Sequence, residues 1–543
     1  MPLSKIILLL SCGINMFFTV HGEVTNGTAY YDNQHRRYYV KCGQLDKGDG
    51  SLAYGTFNDT SDKTGWGVLN VKFSNPSVDF QEDLTRMTAA GVMEGILTGE
   101  RIHQNYINYA QTFLAGKPAF EAKLMAFLME QNLWMREMIS KNPNDPFWQG
   151  LSLVAAQLDG LVIGYNMVSC QNKTLPNLDL SAMLFLNGIG DILDLQHVLN
   201  QSSFPDIQKA TPDELQKFFR MSGHCSVLIK ALPGFEDLFM SHSAWFFYNS
   251  MLRIYKHYNF ELAFRGASAK AMSFSSYPGM LESLDDFYIL GSDMLMLQTT
   301  NNIFNQTLYK MVKLESLLAW QRVRVANLMA GSGAEWGKLV ARYNSGTYNN
   351  QYMVVDRKRI SGELQDGTLT VVEQIPGLVV SEDQTAILRA GYWPSYNVPF
   401  YEIIYDMSGY PMMEKKMGDF FSYQLTVRAE IFRRDQGTVT DMKSMMAIMR
   451  YNDYLHDTYS KKDPSSSICS RFDLRATDPF AGGCTDTKVT NLQMAKTMSA
   501  WAISGPTTSH GLPVFKWTSR FNNSHVGLPE SYDFPFVLME PSL

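Results

Sequence analysis

The order of apolar and polar residues divides the chain into a helical first half and a strand-rich second half. From about Asp79 to Met167, apolar residues recur at three- and four-residue intervals, which is typical of helices with one buried face. Past Cys225, short apolar and aromatic runs alternate with Gly, Pro and Asn, which predicts strands joined by turns. The pattern therefore predicts an α+β fold in which helices cover two sheets.

The same patterns give bounds for individual elements. Strands are predicted over residues 29–42, 65–73, 227–232, 271–275, 287–290, 294–299, 352–355, 369–375 and 401–404. Helices are predicted within 79–167, with a break at 143–146, and over 191–198, 211–219, 243–258 and 308–328. Thr211 and Glu214 have the spacing of a capping box, and Pro212 fits the first helical position.

The segment between Cys225 and His242 predicts a β-hairpin. Pro233 and Gly234 form a strong turn signal between two apolar runs. A two-residue turn there pairs residue 225 with residue 242, and a longer turn shifts the pairing by a residue or two. His242 is therefore expected near the Cys225 thiol, with a satisfied strand-end histidine as the alternative.

Cys225 follows a small polar turn, Gly223-His224, and precedes an apolar strand. A cut between His224 and Cys225 would leave a cysteine that carries both a thiol and a free α-amine. The amine has a pKa of about 7.7–8.0 and the thiol one of about 8.5, so the amine can accept the thiol proton. One residue would then supply nucleophile and base. The alternative is a buried cysteine without chemistry.

Other hydrolase motifs are absent from the sequence. It contains no G-x-S-x-G pentapeptide, no H-E-x-x-H and no paired-cysteine metal pattern. Gly48-Asp-Gly-Ser-Leu52 is a distorted echo of a GDSL block and is better interpreted as a loop before a strand. The candidate chemistry therefore rests on Cys225, and neither a metal nor a cofactor is expected.

The first 22 residues predict a signal peptide, with Lys5, an apolar run over 6–20 and small residues before the cut. An uncleaved anchor is the alternative. No later stretch reaches 18 consecutive apolar residues, so no transmembrane anchor is expected in the mature chain. Six sequons fit a glycosylated lumenal protein, and they begin at Asn26, Asn58, Asn172, Asn200, Asn305 and Asn522.

The mature chain would keep an odd number of cysteines: Cys42, Cys170, Cys225, Cys469 and Cys484. In an oxidising compartment at least one must stay unpaired. Cys469 and Cys484 flank a short Gly-rich loop and are expected to form a disulfide. Cys42 and Cys170 could pair as well, which would leave Cys225 as the odd thiol.

Composition limits the partners of the chain. Its net charge is −6 and 18% of its residues are charged, so it lacks the basic surface typical of nucleic-acid binding. At 543 residues it exceeds the usual size of a single core, which predicts two lobes or one elaborated fold.

Several blocks resemble one family. The blocks are Gly91–Thr98, Cys225–Gly234, Ser241–Trp245, Met251–Lys256, Tyr343–Gln351, Ser395–Pro399 and Gly482–Lys488. They are similar to the phospholipase B-like family, the lamina-ancestor group, over nearly the whole chain after the leader. The resemblance implies the N-terminal-nucleophile hydrolase superfamily and its four-layer αββα sandwich. It also implies a largely helical chain, 23–224, and a catalytic chain, 225–543, that begins at the nucleophile.

The resemblance also implies roles for further residues. Asn397 matches a catalytic asparagine, which fits an oxyanion donor because a side-chain amide can hold a developing negative oxygen. Arg428, 31 residues later, matches a catalytic arginine. Trp245 would line the pocket beside His242. Related bile-acid and penicillin acylases carry Arg and Asp near positions 242 and 245, so this pocket is expected to be less charged.

Each of these residues has a structural alternative. Asn397 could be a turn asparagine before Val-Pro, and Trp245 could be a core residue. Arg428 could pair with a nearby carboxylate, either Glu430 or Asp435.

The residues and the resemblance together predict a self-cleaving hydrolase of acyl ester or amide bonds. The resemblance implies that it deacylates phospholipids and, with the leader and sequons, that it acts in the lysosome lumen or after secretion. Its substrate would be an acyl lipid or amide, and the two cleaved chains would remain associated because separation would expose large apolar faces. Two alternatives stay open: an N-acyl amide or peptide amidase, and a non-catalytic lysosomal glycoprotein that keeps the fold.

Overall fold

The structure is a computed structural model that describes residues 24–48, 50–200, 204–207, 209–220 and 224–543. The signal peptide predicted for residues 1–22 lies outside the described residues. The turn residue Gly223, which precedes the predicted cut, also lies outside them.

The strands form two large sheets and a separate two-stranded sheet. They are β1 (Val24–Asp32), β2 (Arg37–Cys42), β3 (Ser51–Thr60), β4 (Trp66–Phe73), β5 (His224–Ala231), β6 (Leu238–Phe247), β7 (Arg253–Asn259), β8 (Ala271–Ser276), β9 (Phe287–Leu290), β10 (Met294–Thr300), β11 (Asn350–Asp356), β12 (Leu369–Ile375), β13 (Leu378–Asp383), β14 (Tyr392–Ser395), β15 (Gly482–Asn491), β16 (Ala500–Ser504), β17 (Phe515–Lys516), β18 (Ser531–Tyr532) and β19 (Val537–Met539).

The helices are concentrated before β5 and after β10. They are α1 (Ser61–Thr64), α2 (Phe80–Leu97), α3 (Gly99–Phe113), α4 (Pro118–Lys141), α5 (Pro146–Gln171), α6 (Leu180–Asn187), α7 (Ile189–Leu199), α8 (Pro212–Arg220), α9 (Ala319–Met329), α10 (Gly333–Ala341), α11 (Thr385–Leu388), α12 (Glu402–Ser408), α13 (Tyr410–Met417), α14 (Val427–Asp435), α15 (Met442–Met449) and α16 (Leu492–Lys496).

The larger sheet has 11 strands in the order β13-β12-β11-β10-β9-β8-β7-β4-β3-β1-β2. Its neighbouring strands are antiparallel except β4 and β7, which pair in parallel. The smaller sheet has six strands in the order β14-β5-β6-β15-β16-β19, and β17 and β18 form the separate two-stranded sheet. The molecule is thus a mixed α+β protein with two large sheets and many helices, as its sequence pattern predicts.

Alternate residues of a strand face opposite layers, because the side-chain period of a strand is two. On β5, Val227 and Ile229 pack between the two sheets, whereas Leu228 packs against helices on the outer face. On β10, Leu295 packs between the sheets and Met296 packs toward α2 and α9. The two sheets therefore lie face to face, and helices cover the outer face of each.

Helices α2 and α5 pack at unusually short range through glycines. A Cβ atom added to Gly91 would lie 2.0 Å from the carbonyl oxygen of Gln157, and one added to Gly160 would lie 1.9 Å from that of Thr88. Gly95 and Gly164 have similarly close backbone neighbours. The family-like block at 91–98 thus includes two of the glycines that allow the two helix backbones to touch.

We expect Gly160→Ala to lower the free energy of unfolding by about 1–3 kcal/mol, because the added methyl group overpacks a tight core and forces the two helix backbones apart. Urea unfolding measures the effect. Gly437→Ala is the control, since a Cβ there meets no atom within 4 Å. Equal stability of the two variants would contradict the close packing of α2 and α5.

Helix α5 is long and apolar enough to cross a membrane by length and composition. However, 61% of its most apolar stretch is buried inside the protein, where it packs against α2. Core packing therefore accounts for its apolar residues.

Most predicted elements are confirmed. Helices α2 to α5, α7 and α8 occupy the segments predicted to be helical, and β4, β5 and β8 to β12 occupy predicted strands. The capping box before α8 is also present, because Glu214 N donates to Thr211 Oγ1 and Thr211 N donates to Glu214 Oε2.

Four predicted elements were wrong in whole or in part. Residues 29–42 form two strands, because Asp32 accepts hydrogen bonds from the backbone N–H groups of Gln34 and His35 and starts a turn. Residues 243–258 form the second half of β6 and most of β7 with a 3₁₀ turn between them, not a helix. Residues 308–328 include a 3₁₀ turn and a loop before α9 begins at Ala319. Residues 401–404 enter helix α12.

Candidate functional site

The predicted hairpin is present as β5 and β6, but its register differs. The turn spans six residues, from Leu232 to Asp237, because Ala231 pairs with Leu238. Cys225 is therefore opposite Ala244, and His242 is opposite Val227. The longer turn shifts the pairing by two residues, which the prediction allowed, and the expected proximity of Cys225 and His242 is confirmed.

Cys225 is buried, with 6% of its surface exposed, and it forms no disulfide. Its backbone N donates a hydrogen bond to Asn397 Oδ1 at 3.0 Å. Its carbonyl oxygen accepts a hydrogen bond from the Arg428 guanidinium. Burial raises the pKa of the Cys225 thiol well above its usual value, and the nearby Asp286 adds to this effect.

Asn397 lies in a loop after β14 with a positive φ of 66°, a conformation that asparagine tolerates better than most residues. Its Nδ2 donates to the carbonyl oxygen of Thr300 at 2.6 Å. These two contacts fix the orientation of the amide, because only an oxygen can accept from Cys225 N. The second hydrogen on Nδ2 is left to serve another acceptor.

Arg428, on α14, connects β5 to the loop that carries Asn397. Besides the carbonyl of Cys225, its guanidinium reaches the carbonyl oxygen of Tyr396 at 2.5 Å. It also lies over the Trp245 ring, 4.5 Å from the centroid. Burial lowers the pKa of Arg428 to about 9. Neither Glu430 nor Asp435 is its partner, so the alternative of a carboxylate pair does not apply.

A cleft that is open to solvent lies beside these residues. Trp245, Asn397 and Arg428 all line it, and so does His224, whose ring lies against Trp245 with centroids 6.0 Å apart. Most other lining residues are aromatic, aliphatic or serine: Tyr396, Val398, Phe420, Phe421, Val427, Ser465, Ser466, Ser467 and Phe472. His224 thus lies between the cleft and the chain at Cys225.

His242 is fully buried and both of its ring nitrogens have partners. Nε2 lies 3.0 Å from the carbonyl oxygen of Gln298, and Nδ1 lies 3.2 Å from Lys488 Nζ. The ammonium can only donate, so Nδ1 accepts and the proton of the neutral ring is on Nε2. Burial, together with the Lys488 charge, lowers the pKa of His242 well below its usual value, so the ring stays neutral.

Ligand atoms of Cys225, His242 and Asp286 all lie within 4.8 Å of one another. These three residue types can bind zinc. A metal would, however, need a lone pair from His242, whose Nδ1 already accepts from Lys488 and whose Nε2 carries the proton. The donor set therefore fits proton transfer better than metal binding.

Behind His242 lies a buried cluster of four charges. Lys488 Nζ is 2.7 Å from Asp285 Oδ2 and 2.5 Å from Asp486 Oδ1. Arg253 also pairs with both carboxylates, and it is 2.7 Å from Asp486 Oδ2. Burial alone would raise the pKa of Asp285, but the two cations outweigh it and hold that pKa well below its usual range. Burial raises the pKa of Asp486 to about 6 despite the two cations. With both carboxylates ionised the cluster is neutral as a whole, and it fixes the His242 side of the site.

Sequence reasoning missed Asp286 and this charge cluster. Asp486 and Lys488 lie in the block Gly482–Lys488, and Arg253 lies in Met251–Lys256, so both blocks were visible but carried no assigned role. A spacing-based signal exists only on β15, where Asp486 and Lys488 are two residues apart on a strand. Nothing in the local sequence indicates that these charges are buried.

The predicted disulfide between Cys469 and Cys484 is present. It packs with Trp245 and Phe472, and Trp245 Nε1 donates to the carbonyl oxygen of Ile468 at 3.1 Å. The disulfide therefore ties the segment that carries the cleft serines to β15, next to the hairpin.

The six sequons differ in exposure. Asn172, Asn200 and Asn522 are exposed, whereas Asn26, Asn58 and Asn305 are half-buried. A glycan needs an outward-facing side chain, so the three exposed asparagines are the better acceptors. Glycosylation itself stays a prediction at all six positions.

Known proteins match this chain over nearly its whole length. A family model described as phospholipase B matches residues 53–539. The chain is 47% identical over 546 residues to "Phospholipase B-like 1" of Bos taurus, which covers 100% of this chain and 97% of that relative. It is 48% identical to the protein of the same name in Rattus norvegicus, over 95% of this chain and 92% of the relative. It is 45% identical to "Phospholipase B" of Crotalus adamanteus, over 96% and 94%.

Proposed function

Because the chain belongs to the phospholipase B family, we propose that it is a hydrolase of acyl ester or amide bonds that cuts itself between His224 and Cys225 and then deacylates phospholipids. The nucleophile is the Cys225 thiol. The observation that carries this proposal is the 3.0 Å hydrogen bond between Cys225 N and Asn397 Oδ1. After a cut, the same nitrogen becomes the α-amine, and Asn397 is already positioned to hold it beside the thiol.

The position of His224 supports self-cleavage. His224 lines the cleft, while Cys225 lies behind it and is buried. Release of the His224 end would open a path from the cleft to the sulfur and let water reach it. The burial that raises the thiol pKa would then be partly relieved, which makes the thiolate easier to form.

The layer order of the fold fits the same proposal. Two sheets packed face to face with helices outside match the αββα sandwich of the N-terminal-nucleophile hydrolases, in which the nucleophile begins a strand. Cys225 is the second residue of strand β5, and it lies at one end of the space between the sheets. On this proposal the protein consists of chains 23–224 and 225–543.

The mature site divides the work among four residues. The Cys225 sulfur attacks the acyl carbonyl, its own amine accepts the proton, and the amine later returns that proton to the leaving group. The second Nδ2 hydrogen of Asn397 donates to the oxyanion. Arg428 donates a hydrogen bond to the Cys225 carbonyl, and the neutral His242 ring is held in a fixed position near the thiol. A neutral imidazole does not raise the thiolate fraction by its charge, so we assign His242 a positioning role.

The cleft fits the acyl part of a lipid. Aromatic side chains form much of the cleft wall, as is usual in sites that bind apolar ligands. Arg428 carries a charge there, but its guanidinium is occupied by two backbone carbonyls and a ring. An apolar acyl chain is therefore a better occupant than a charged headgroup. Lysosomal or secreted delivery remains part of the proposal on the evidence of the leader and sequons.

We expect Asn397→Ala, in protein that is already cut, to lower turnover about 10²–10³-fold, the usual cost of one oxyanion donor. Asn397→Asp is a second variant, because aspartate tolerates the positive φ and keeps an acceptor for the amine but loses the N–H donor. Asn344→Ala is the control, since its side chain also donates to a backbone carbonyl but lies outside the cleft.

The assay compares diacyl and lyso phospholipids with N-acyl amides, using variants confirmed to be folded and cut. Turnover of phospholipids that Asn397→Ala reduces and Asn344→Ala spares supports the proposal. Preference for N-acyl amides would favour an amidase with the same mechanism. Silence of the wild-type protein on every substrate would favour a non-catalytic glycoprotein.

A further inference from the structure

The uncut chain lacks the base that the mature enzyme would use. Before cleavage, Cys225 N is part of the peptide bond to His224 and has no lone pair that can accept a proton. The sulfur must nevertheless lose its proton to attack the His224 carbonyl, and burial makes that loss difficult. The first cut therefore needs a proton acceptor other than the α-amine.

Among the histidine, aspartate and glutamate side chains of the described residues, His242 and Asp286 form a close group with the sulfur. His242 is poorly suited, because Lys488 donates to its Nδ1 and its Nε2 carries the ring proton toward the Gln298 carbonyl. Accepting a further proton would make it a cation beside the Lys488 ammonium. Asp286 has no such obstacle.

The surroundings of Asp286 are built to hold a proton. Its side chain is buried, and its backbone has a positive φ of 59° just before β9. The Tyr348 hydroxyl oxygen lies 2.5 Å from the Leu284 carbonyl oxygen and 2.8 Å from Asp286 Oδ2. A hydroxyl has one hydrogen to donate, so a proton on Asp286 would complete the second bond. Burial also raises the pKa of Asp286 well above its usual range, so only the ionised fraction of this residue accepts the thiol proton, and that fraction is a stronger base than an exposed carboxylate.

We propose that Asp286 accepts the thiol proton of Cys225 during self-cleavage. This inference rests on the proposed function, because it assigns a residue to the first cut. Asp286 is absent from the mature step described above, where the α-amine serves as base. The two roles can therefore be tested separately.

The reaction balances without a co-reactant other than water. The proton moves from Sγ to the Asp286 carboxylate, and Sγ forms a bond to the His224 carbonyl carbon. The bond from that carbon to Cys225 N then breaks, and Asp286 returns the proton to the nitrogen, which with the amide hydrogen becomes the amine. Water adds to the thioester, the carbon–sulfur bond breaks, and the products are a His224 carboxyl group and the Cys225 thiol.

The test is the rate of cleavage of newly made chain in secretory cells, followed by pulse labelling and gel separation. We expect Asp286→Asn to slow cleavage about 100-fold or more, within the range for loss of a general base. Asparagine suits a positive φ as aspartate does. Asp293→Asn is the matched control, because Asp293 has a φ of 61° in an exposed turn and is expected to cleave at the wild-type rate.

Hydroxylamine separates the chemical step from later hydrolysis, since it opens any thioester that has formed. Uncut Asp286→Asn that hydroxylamine leaves intact supports the proposal, whereas rapid hydroxylamine cleavage overturns it. Cleavage of Asp286→Asn at the wild-type rate also overturns it and leaves the proposed function standing. A wild-type chain that is never cut at Cys225 refutes self-cleavage itself.

Folding of the variant is checked against uncut Cys225→Ala by thermal unfolding. Should Asp286→Asn fail to fold, Asp286→Glu and Asp286→Gln decide the matter, because they have the same size and differ in the carboxylate. Faster cleavage of the glutamate variant supports proton transfer to a carboxylate, and equal rates contradict it.

Discussion

Cys225→Ala is expected to remain a single uncut chain and to show no thiol-dependent turnover. The change removes the sulfur that would attack the His224 carbonyl and, later, the acyl carbonyl. Asn397 and Arg428 contact the backbone N and O of residue 225, so the site geometry should survive the substitution. Cys225→Ser keeps a weaker nucleophile and should cut slowly.

N-terminal sequencing of the larger fragment of the wild-type protein provides the measurement, with Cys225 expected as its first residue. Cys170→Ala controls for loss of a cysteine as such, because Cys170 lies in α5 and away from the cleft. A different first residue, with no later trimming to explain it, would refute the cut. Normal turnover by Cys225→Ala would refute the nucleophile.

Lys488→Met is expected to lower the free energy of unfolding by about 3–5 kcal/mol, since it removes one partner from a buried ion cluster. Asp285 and Asp486 would then share Arg253 alone, at positions with no exposure to water. A loss of about 3–5 kcal/mol is a large part of the total free energy of unfolding of a typical protein, which is about 5–15 kcal/mol. Urea unfolding in the uncut Cys225→Ala background measures it with a single chain in both states.

The deficit of Lys488→Met should depend on pH. Burial already raises the pKa of Asp486 to about 6 in the intact cluster, and loss of one cation would raise the folded-state pKa of the two buried carboxyls further. Such a group penalises the folded state increasingly as pH rises from the unfolded pKa, about 3.9, to the folded one. The deficit should therefore shrink toward acidic pH. Lys141→Met removes an exposed pair with Glu137 and should cost at most about 0.5 kcal/mol. A comparable, pH-independent loss in both variants would show that the buried charge is unimportant.

The long helices α2 to α5 were predictable. Apolar residues that recur at three- and four-residue intervals over many turns have few alternative explanations. The segment 243–258 misled because Trp245, Tyr248, Leu252 and Tyr255 happen to recur at helical spacing. The same residues are aromatic or apolar, and in the structure they are buried in strands β6 and β7 or in the turn between them. Short apolar runs such as 401–404 contain too few residues to distinguish the two-residue period of a strand from the 3.6-residue period of a helix.

Site residues could be predicted only where the residue type is rare in the chain or where the surrounding block resembles the family. Cys225 could be identified because an odd cysteine stands before a strand, and Asn397 and Arg428 because of family resemblance. Their contacts with the N and O of one residue could not be derived, since they join segments far apart in the chain. Asp286, Lys488 and Arg253 escaped because charged residues are normally exposed, and their burial depends on how two sheets meet.

Strands β4 and β7 pair in parallel, from Trp66 opposite Arg253 to Lys72 opposite Asn259. This pairing determines how many chains take part in unfolding and refolding once the protein is cut. Once cut, the protein would have β1 to β4 in one chain and β7 to β13 in another, while Cys469 and Cys484 lie together in the second and leave the chains without that covalent link. Unfolding would change from a first-order reaction into a dissociation whose midpoint depends on concentration. Refolding would require two partners to meet again and rebuild a continuous sheet. The cut protein would then persist through the slowness of its unfolding, whereas the uncut chain could equilibrate with its unfolded state.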